Sequence, residues 1–222
     1  MSFSLLVMYV LLTYTFSCKK DDDNNNQVKD IDGNVYHTVT IGTQVWMVEN
    51  LKTTRYNDGT AIPLVTDSTE WVNLITPGFC WYNNDAAFKN TYGALYNWFT
   101  VNTGKLAPTG WRIPTDADWT ILTTFLGGDS LAGGKLKETG TANWQSPNIS
   151  ATNETGFTAI PGGYRGAHGQ FEKNREFGYW WSSTEKYSGY VWSRGIYNDY
   201  SDVFRGDVSK NDGFSVRCLR NI

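Results

Sequence analysis

Short aromatic-rich runs separated by turn residues fill the C-terminal part of the chain. From Gly156 onward they read GFTAI, YWWSST, GYVWSRGIY, DVFRGDV and GFSVRCL, with Gly, Asn and Asp between them. Runs of this composition, bounded by such residues, are typical of β-strands joined by tight turns. The whole chain has 22 Gly, 10 Trp, 13 Tyr and 11 Phe. We therefore predict a strand-rich and loop-rich fold packed on wide aromatic side chains rather than a helical bundle.

The N-terminal half contains two further strand patterns. Residues 35–51 (VYHTVTIGTQVWMVENL) alternate on both sides of the dipeptide Gly42-Thr43, which predicts a β-hairpin. Residues 79–82 (FCWY) are a short apolar run and predict one more strand.

Two segments predict helices. Residues 92–101 (YGALYNWFTV) have an apolar spacing that suits a first helix. Residues 116–126 carry the stronger signal, because Thr115 can cap the backbone amide of Asp118 and acidic residues fill the positive end of the helix dipole. Gly127 supplies the end of this second helix.

An apolar run near the N-terminus ends at a lone cysteine. Residues 5–16 (LLVMYVLLTYTF) carry no charge and are shorter than the roughly 20 residues of a membrane-spanning helix, so they match the apolar part of a secretory signal peptide. The small Ser17 precedes Cys18, and the arrangement resembles a bacterial lipoprotein signal whose cysteine is acylated. We predict a signal peptide over residues 1–17 and lipidation at Cys18. The alternative is an ordinary secretory signal with a chance cysteine.

The segment that follows predicts a tether. Residues 18–27 contain two lysines and then acids and amides without an apolar side chain after the cysteine, so they cannot bury surface to offset their ordering entropy. Lysines and acids directly after the cysteine also resemble the export signal of cell-surface lipoproteins in Bacteroidetes-type bacteria. We expect the protein to be lipid-anchored in the outer membrane and to face the cell exterior, with residues 28–222 as one domain.

Six motifs in the domain resemble a known family. They are WYNND (81–85), YGALYNW (92–98), GWRIPTDADW (110–119), GFTAIPGGYR (156–165), YWWSST (179–184) and SVRCL (215–219). In order and spacing they are similar to the Fibrobacter succinogenes major paralogous domain. The resemblance implies an α+β, C-type-lectin-like fold with two helices, antiparallel sheets and long loops, distantly similar to formylglycine-generating enzymes. One departure is Ala107, which stands where the family often has a cysteine.

The residues offer little for catalysis. His37 and His168 are the only histidines, and neither lies in a metal-binding spacing. The formylglycine-generating reaction needs two reactive cysteines close together near the chain end, and only Cys218 lies there. We therefore expect no enzyme, no metal and no cofactor. The net charge of −3 gives no basic footprint for nucleic acid.

A binding module is the stronger prediction for residues 187–207. This segment combines aromatic, amide and charged side chains between short turns, as sugar-binding and protein-binding surfaces do. The candidate ligand contacts are Tyr187, Tyr190, Arg194, Tyr197, Asn198, Asp199 and Tyr200. Strand alternation would place Tyr190, Trp192, Arg194 and Ile196 on one face and Val191, Ser193 and Tyr197 on the other. The calcium-dependent sugar triplets of animal lectins are absent. We expect an adhesin for glycan or protein ligands, and the alternative is a structural coat or assembly protein without a small ligand.

Besides Cys18 the chain has Cys80 and Cys218. An even pair in an oxidising compartment predicts a candidate disulfide. The alternative is two inert thiols in the core, because free cysteine is often buried.

Two short motifs are interpreted as ordinary local structure. Asp30, Asp32 and Asn34 are spaced loosely like calcium ligands, but the glycine and distal glutamate of an EF-hand are missing, so we predict a turn before the hairpin. Residues 205–207 spell the integrin tripeptide RGD. Three-residue matches arise by chance, and Gly-Asp is also common turn chemistry.

Overall fold

The computed structural model of the protein describes residues 26–221, which form twelve β-strands and five α-helices. The strands are β1 Gln27–Lys29, β2 Val35–Ile41, β3 Gln44–Met47, β4 Phe79–Cys80, β5 Leu95–Tyr96, β6 Trp111–Arg112, β7 Tyr164–Arg165, β8 Phe171–Glu172, β9 Phe177–Tyr187, β10 Tyr190–Tyr197, β11 Phe204–Ser209 and β12 Leu219–Arg220. The helices are α1 Ser68–Val72, α2 Lys89–Tyr92, α3 Trp98–Val101, α4 Asp116–Phe125 and α5 Asp129–Leu136.

The strands form two larger sheets and two small ones. A five-stranded sheet has the order β1-β2-β3-β12-β6, and a three-stranded sheet has the order β11-β10-β9. The pairs β4-β5 and β7-β8 complete the set, and the ladders are antiparallel. Short helices beside antiparallel sheets confirm the predicted α+β class. No helix within residues 26–221 combines the length and apolar character needed to cross a bilayer.

The predicted hairpin is confirmed. β2 pairs with β3 in a register that sets Ile41 opposite Gln44, and Gly42 at the turn has a φ of 59°, which glycine adopts without steric strain. The short strand predicted over residues 79–82 is also confirmed, as β4.

The chain enters the hairpin through a hydrogen-bonded turn. Asp30 accepts hydrogen bonds from the backbone N–H of Asn34 at 2.9 Å and from the Tyr36 hydroxyl at 2.6 Å, so these residues form the predicted turn. The predicted tether over residues 18–27 reaches too far, because Gln27 lies in β1 opposite His37. Residues 1–17 and the lipidation site fall outside the described residues.

Helix α4 is confirmed with its predicted N-cap. The Thr115 side chain accepts from the backbone N–H of Asp118, and the Asp118 carboxylate accepts from the backbone N–H of Thr115 at 2.7 Å. This reciprocal capping box satisfies two donors that a helix start otherwise leaves free. Trp119 and Leu122 are fully buried, and Gly127 follows the helix with a φ of 97°.

The helix predicted over residues 92–101 is wrong. Gly93 has a φ of 76° and ends α2 after Tyr92. The next residues then pair as β5 with β4, setting Cys80 opposite Leu95. Asn97 caps only the single turn of α3. A strand partner elsewhere in the chain therefore overrides the local apolar spacing.

The sequence pattern does not predict helix α5, because the helix contains Gly133 and Gly134. Glycine weakens an isolated helix by about 1 kcal/mol relative to alanine. Here the two glycines are needed for close approach. A Cβ on Gly133 would lie 2.2 Å from the carbonyl oxygen of Asp202, and one on Gly134 would lie 2.5 Å from that of Ser150.

Two adjacent tryptophans divide the core. Trp180 and Trp181 are both fully buried in β9, and the pleat sends consecutive side chains to opposite faces of the sheet. Trp180 joins a cluster with Trp46, Trp119 and others. Trp181 joins a separate and larger cluster on the other side of β9. The three-stranded sheet is therefore fixed by apolar packing on both faces.

The disulfide considered from the sequence is not formed. Cys80 and Cys218 are both free and buried, and they lie in different hydrophobic clusters. Burial raises the pKa of the Cys80 thiol to about 12 and also raises that of Cys218. Both therefore fit the alternative of inert core thiols.

Candidate functional site

The seven candidate residues lie in the three-stranded sheet or directly after β10, and the fold does not bring them together. Tyr187 and Tyr190 lie at the tip of the β9–β10 hairpin, whereas Tyr197, Asp199 and Tyr200 lie at the far end of β10. A strand rises about 3.3 Å per residue, so the two ends of β10 are about 23 Å apart. The candidates therefore form two separate groups.

The register of β10 and β11 confirms the predicted alternation of faces. Trp192 lies opposite Asp207, and Arg194 lies opposite Arg205, so these four side chains emerge on one face of the sheet. That face meets the start of helix α4. The intervening Val191, on the other face, packs in the larger cluster.

Tyr187 and Tyr190 form an exposed aromatic pair, which we name the tyrosine pair. The two residues are 50% and 45% exposed, and their ring centroids are 5.1 Å apart with planes inclined by 39°. The Tyr187 hydroxyl donates to Asp207 Oδ2 at 2.9 Å. This hydrogen bond raises the pKa of Tyr187. The Tyr187 side chain is therefore both exposed to solvent and held in place by Asp207.

A set of charged and aromatic side chains lies directly behind the tyrosine pair. Lys186 Nζ donates to Asp207 Oδ1 at 2.8 Å, and this hydrogen bond lowers the pKa of Asp207. The same ammonium lies 4.4 Å from the centre of the Trp192 ring. The Arg205 guanidinium lies 3.4 Å from that ring centre. Cations over an indole ring are attracted by its negative face.

Asp116 joins this set to helix α4. Its carboxylate accepts from Arg205 Nε at 2.9 Å and Nη2 at 2.8 Å, and from Arg194 Nη1 at 2.8 Å. Burial opposes ionisation, but hydrogen bonds from Arg205 and then Arg194 lower the pKa of Asp116. We refer to Asp116, Lys186, Trp192, Arg205 and Asp207 as the supporting cluster. It is a continuous series of contacts from α4 to the hairpin tip.

Two of the candidate ligand contacts are wrong, because their side chains are buried. Arg194 is 1% exposed and its guanidinium is bound to Asp116, so it positions the supporting cluster. Asn198 is also buried, and its Nδ2 donates to the backbone carbonyls of Gln145 and Ser146 at 3.3 Å. Neither side chain can reach a ligand.

The far end of β10 carries a cross-strand aromatic stack of Phe177, Tyr197 and Phe204. The Tyr197 ring lies 4.1 Å from Phe177 and 4.4 Å from Phe204, centroid to centroid, and its hydroxyl is 2.7 Å from that of Tyr179. Tyr200 is exposed and contacts Phe204 edge-on at 5.3 Å. Cross-strand aromatic pairs stabilise a sheet by about 0.5–1 kcal/mol each. Tyr197 therefore serves the sheet, while Tyr200 and the adjacent Asp199 remain accessible.

Lys137, which no sequence pattern marks as functional, holds this end of the sheet. It is fully buried, and its Nζ donates to the carbonyl oxygens of Tyr197 at 3.1 Å and Tyr200 at 2.8 Å. Burial lowers the pKa of Lys137 to about 8. No local pattern marks a lysine at the end of a helix as a partner for carbonyl groups some 60 positions away.

The RGD tripeptide is not a free loop. It lies inside β11, where Gly206 pairs with Ser193, and its two charged side chains are bound to Asp116 and Lys186. The strand predicted from the run DVFRGDV is therefore confirmed, and an integrin-type role is not supported.

Metal-binding clusters of three or more His, Cys, Asp or Glu side chains are absent from residues 26–221. Each histidine pairs with a glutamate, His37 with Glu49 at 2.6 Å and His168 with Glu172 at 2.8 Å. A cleft of about 190 Å³ beside β6 and β12 is lined by Arg112 and Asp118 among others. Those two side chains already bind each other at the start of α4, so the cleft holds no free charge from them.

Comparison with known families gives one result. The model of the family described as the Fibrobacter succinogenes major domain matches residues 39–220, from within β2 to the end of β12. No curated protein and no solved structure matches the chain. The matched region covers the tyrosine pair and the supporting cluster, and it spans most of the chain. The protein belongs to the Fibrobacter succinogenes major domain family.

Proposed function

We propose that the protein is a cell-surface binding module that contacts its ligand through the tyrosine pair. The observation that carries this proposal is the state of Tyr187, which is half exposed while its hydroxyl is fixed by Asp207. An exposed aromatic side chain that is ordered before binding loses little conformational entropy on contact.

The supporting cluster favours the same conclusion. Ion pairs at a protein surface contribute little to stability, about 0–1 kcal/mol each. Here the pairs of Lys186 with Asp207 and of Arg205 with Asp116 enclose Trp192 and reach the end of the three-stranded sheet where the β9–β10 hairpin turns. Their arrangement fixes the direction of the hairpin more than it adds stability. A fixed direction is what a preorganised contact surface requires.

The tyrosine pair is favoured over the far end of β10. There the ring of Tyr197 is covered on both sides by its neighbours in the aromatic stack. Tyr200 matches Tyr187 in exposure, at 50%, but it lies beyond the far end of β10, a strand about 23 Å long. It therefore provides a matched control for the role of Tyr187.

The sequence supports a lipid anchor for this module. A signal-like apolar run ends at Cys18, and lysines and acids follow it. We propose that Cys18 is acylated, that residues after it form a tether, and that the domain faces the exterior from the outer membrane. Two or more acyl chains would hold the protein firmly, at about 0.8 kcal/mol per buried methylene group.

We further propose that residues 26–221 have the C-type-lectin-like arrangement. The terminal strand β12 pairs with β3 of the first hairpin, and helices α4 and α5 pack beside the antiparallel sheets. Both features support this arrangement. An experimental structure superposed on C-type-lectin-like domains would test it.

A structural coat protein is the second candidate function. Ile121, Phe125 and Leu131 on α4 and α5 are 52%, 63% and 53% exposed. Ile121 and Phe125 are four positions apart and share one side of α4. Such apolar exposure favours contact between copies of the protein.

Adhesion of protein-coated beads distinguishes the two functions. The full chain, purified in detergent, would be coupled to beads and applied to immobilised neutral polysaccharides, charged polysaccharides, collagen and fibronectin. We expect adhesion to at least one surface that is lost with Tyr187→Ala or Tyr190→Ala and kept with Tyr200→Ala. If the beads adhere to none of these surfaces and the protein self-associates in sedimentation experiments, the coat-protein hypothesis is favoured and the binding-module hypothesis is wrong.

A further inference from the structure

We infer that the ligand of the tyrosine pair is a neutral glycan. This inference rests on the proposed function and concerns the chemistry of the ligand. It follows from the charges, the hydrogen-bonding capacity and the size of the surface at the hairpin tip.

The exposed cations near the tyrosine pair already have anionic partners. These ion pairs are Lys186–Asp207 at 2.8 Å, Arg205–Asp116 at 2.8 Å and Lys210–Glu185 at 2.5 Å. An ionised ligand would have to compete with a partner in direct contact. A neutral ligand can bind beside each pair and leave it intact.

The Lys186–Asp207 pair still offers hydrogen bonds to such a ligand. A carboxylate has about four lone-pair positions, and the Asp207 side chain accepts from Lys186 and Tyr187. The lysine ammonium has three donors and uses one of them on Asp207. Both side chains are 31% exposed. An acceptor beside a donor matches two neighbouring hydroxyl groups of a sugar, since each hydroxyl both donates and accepts.

The tyrosines supply the apolar part of the contact. A sugar ring has an apolar C–H face and a rim of hydroxyl groups, and tyrosine likewise combines an apolar ring with a polar tip. Tyr187 and Tyr190 stand side by side, and each residue is about half exposed. They can therefore cover sugar C–H groups while Asp207 and Lys186 meet the hydroxyls.

The size of the surface favours a glycan over a protein. An aromatic side chain buries about 150–250 Å² when it is fully covered, so the exposed halves of two tyrosines offer about 200 Å². A stable protein interface covers about 800 Å² on each partner. The hairpin turn at Ser188 and Gly189 adds only two small residues.

Affinity electrophoresis of the full chain tests this inference. Native gels with a non-ionic detergent would contain dextran, galactomannan or xyloglucan as neutral polymers, and polygalacturonate or chitosan as charged ones. We expect at least one neutral polymer to retard the protein, with little change up to about 0.5 M salt. Tyr187→Ala and Tyr190→Ala should weaken the retardation about tenfold or more without lowering the melting temperature. Tyr200→Ala should migrate as the wild type does.

The outcomes separate this inference from the proposed function. Suppose that the protein binds only a charged polymer in the gels, or only collagen or fibronectin in the bead experiment, and that the tyrosine variants lose this binding. The neutral-glycan inference is then wrong, and the binding function stands. The inference would also be overturned if a neutral polymer retards the Tyr187→Ala and Tyr190→Ala variants as strongly as it retards the wild type. If the protein binds none of these polymers or proteins, both proposals fail.

Discussion

The guanidinium carbon of Arg205 lies 3.4 Å from the centre of the Trp192 ring, while the same guanidinium is bound through two nitrogens to Asp116. Trp192 is only partly buried, so its position depends on cations as well as on apolar contacts. An attraction of this kind contributes about 0.5–2 kcal/mol, more where water is excluded. The indole ring therefore joins helix α4 to the hairpin.

Trp192→Ala should lower the free energy of unfolding by about 2–3 kcal/mol. A fully buried tryptophan costs about 3–5 kcal/mol on truncation, and partial exposure reduces that figure. Trp192→Phe keeps a ring beneath Arg205 and Lys186 and should cost less than half as much. Urea denaturation measures both variants. Equal stability of Trp192→Ala and the wild type would show that the supporting cluster is not coupled to folding.

Tyr187→Ala, Tyr190→Ala and Tyr200→Ala should each change the free energy of unfolding by less than about 1 kcal/mol. All three rings are about half exposed, and surface substitutions away from the core have small effects. Thermal unfolding followed by near-ultraviolet circular dichroism would measure this. A large drop in melting temperature for Tyr187→Ala would instead make that residue part of the sheet packing.

Asp212 should make stability depend on pH between about pH 4 and pH 6. Burial raises its pKa to about 6, although hydrogen bonds from the backbone N–H groups of Ala167 and Ser209 and the nearby His168 act in the opposite direction. The folded state then binds a proton more tightly than the unfolded state, so this contribution to stability is present at pH 4 and lost as the pH rises through 6.

Asp212→Asn isolates that contribution. Its free energy of unfolding, measured relative to the wild type, should increase from pH 4 to pH 6, because asparagine has no proton to lose. Other carboxylates with lowered pKa values, such as Asp116, are the same in both proteins and cancel. If the difference in free energy of unfolding between the variant and the wild type stays constant from pH 4 to pH 6, the pKa of Asp212 is not raised in the folded protein.

Both core thiols should be free and slow to react. Cys80 and Cys218 are buried and their pKa values are raised, so little thiolate forms at neutral pH. Alkylation with mass spectrometry should label both only after denaturation, in the absence of reductant. A disulfide-linked peptide containing Cys80 and Cys218 would contradict the structure.

Cys18→Ala should release the protein from membranes. Without an acylated cysteine, we expect it to partition into the aqueous phase on detergent separation, whereas the wild type enters the detergent phase. Replacing Lys19 and the four residues after it by neutral side chains should keep acylation but reduce protease access on whole cells. If the wild-type protein also partitions into the aqueous phase, the lipoprotein proposal is wrong.

Local signals allowed part of the fold to be predicted. Helix α4 is predictable because its cap needs only Thr115 and Asp118, three positions apart. The first hairpin is predictable because its alternation and its glycine turn are contiguous. In contrast, residues 92–101 form no single helix, since the partners of β5 lie in β4 and at Phe214. Distant partners of this kind leave no trace in the local pattern.

The sequence predicts candidate site residues correctly only where a residue lies in or beside a turn, because turn residues are usually exposed. Tyr187 and Tyr200 lie at hairpin or loop positions and are exposed as expected. Arg194 was misassigned because its partner, Asp116, is 78 positions away, and only the folded chain shows that an arginine on that strand face meets a helix start. The prediction for Asn198 is wrong for the same reason, because its side chain binds a backbone carbonyl at Gln145, a distant position in the chain.

The register of β9 shifts near the hairpin tip, since Ser193 lies opposite Trp181 but Val191 lies opposite Glu185. Four positions of β9 therefore match two of β10, and the extra residues absorb a mismatch in length. Trp180 and Trp181 both lie before the shift in β9 and pack in the two clusters. Residues 187–190 lie outside the hydrophobic clusters, so a different turn there would leave Val191 and both tryptophans in their core contacts. The length and sequence of this turn could therefore vary while one framework of strands persists.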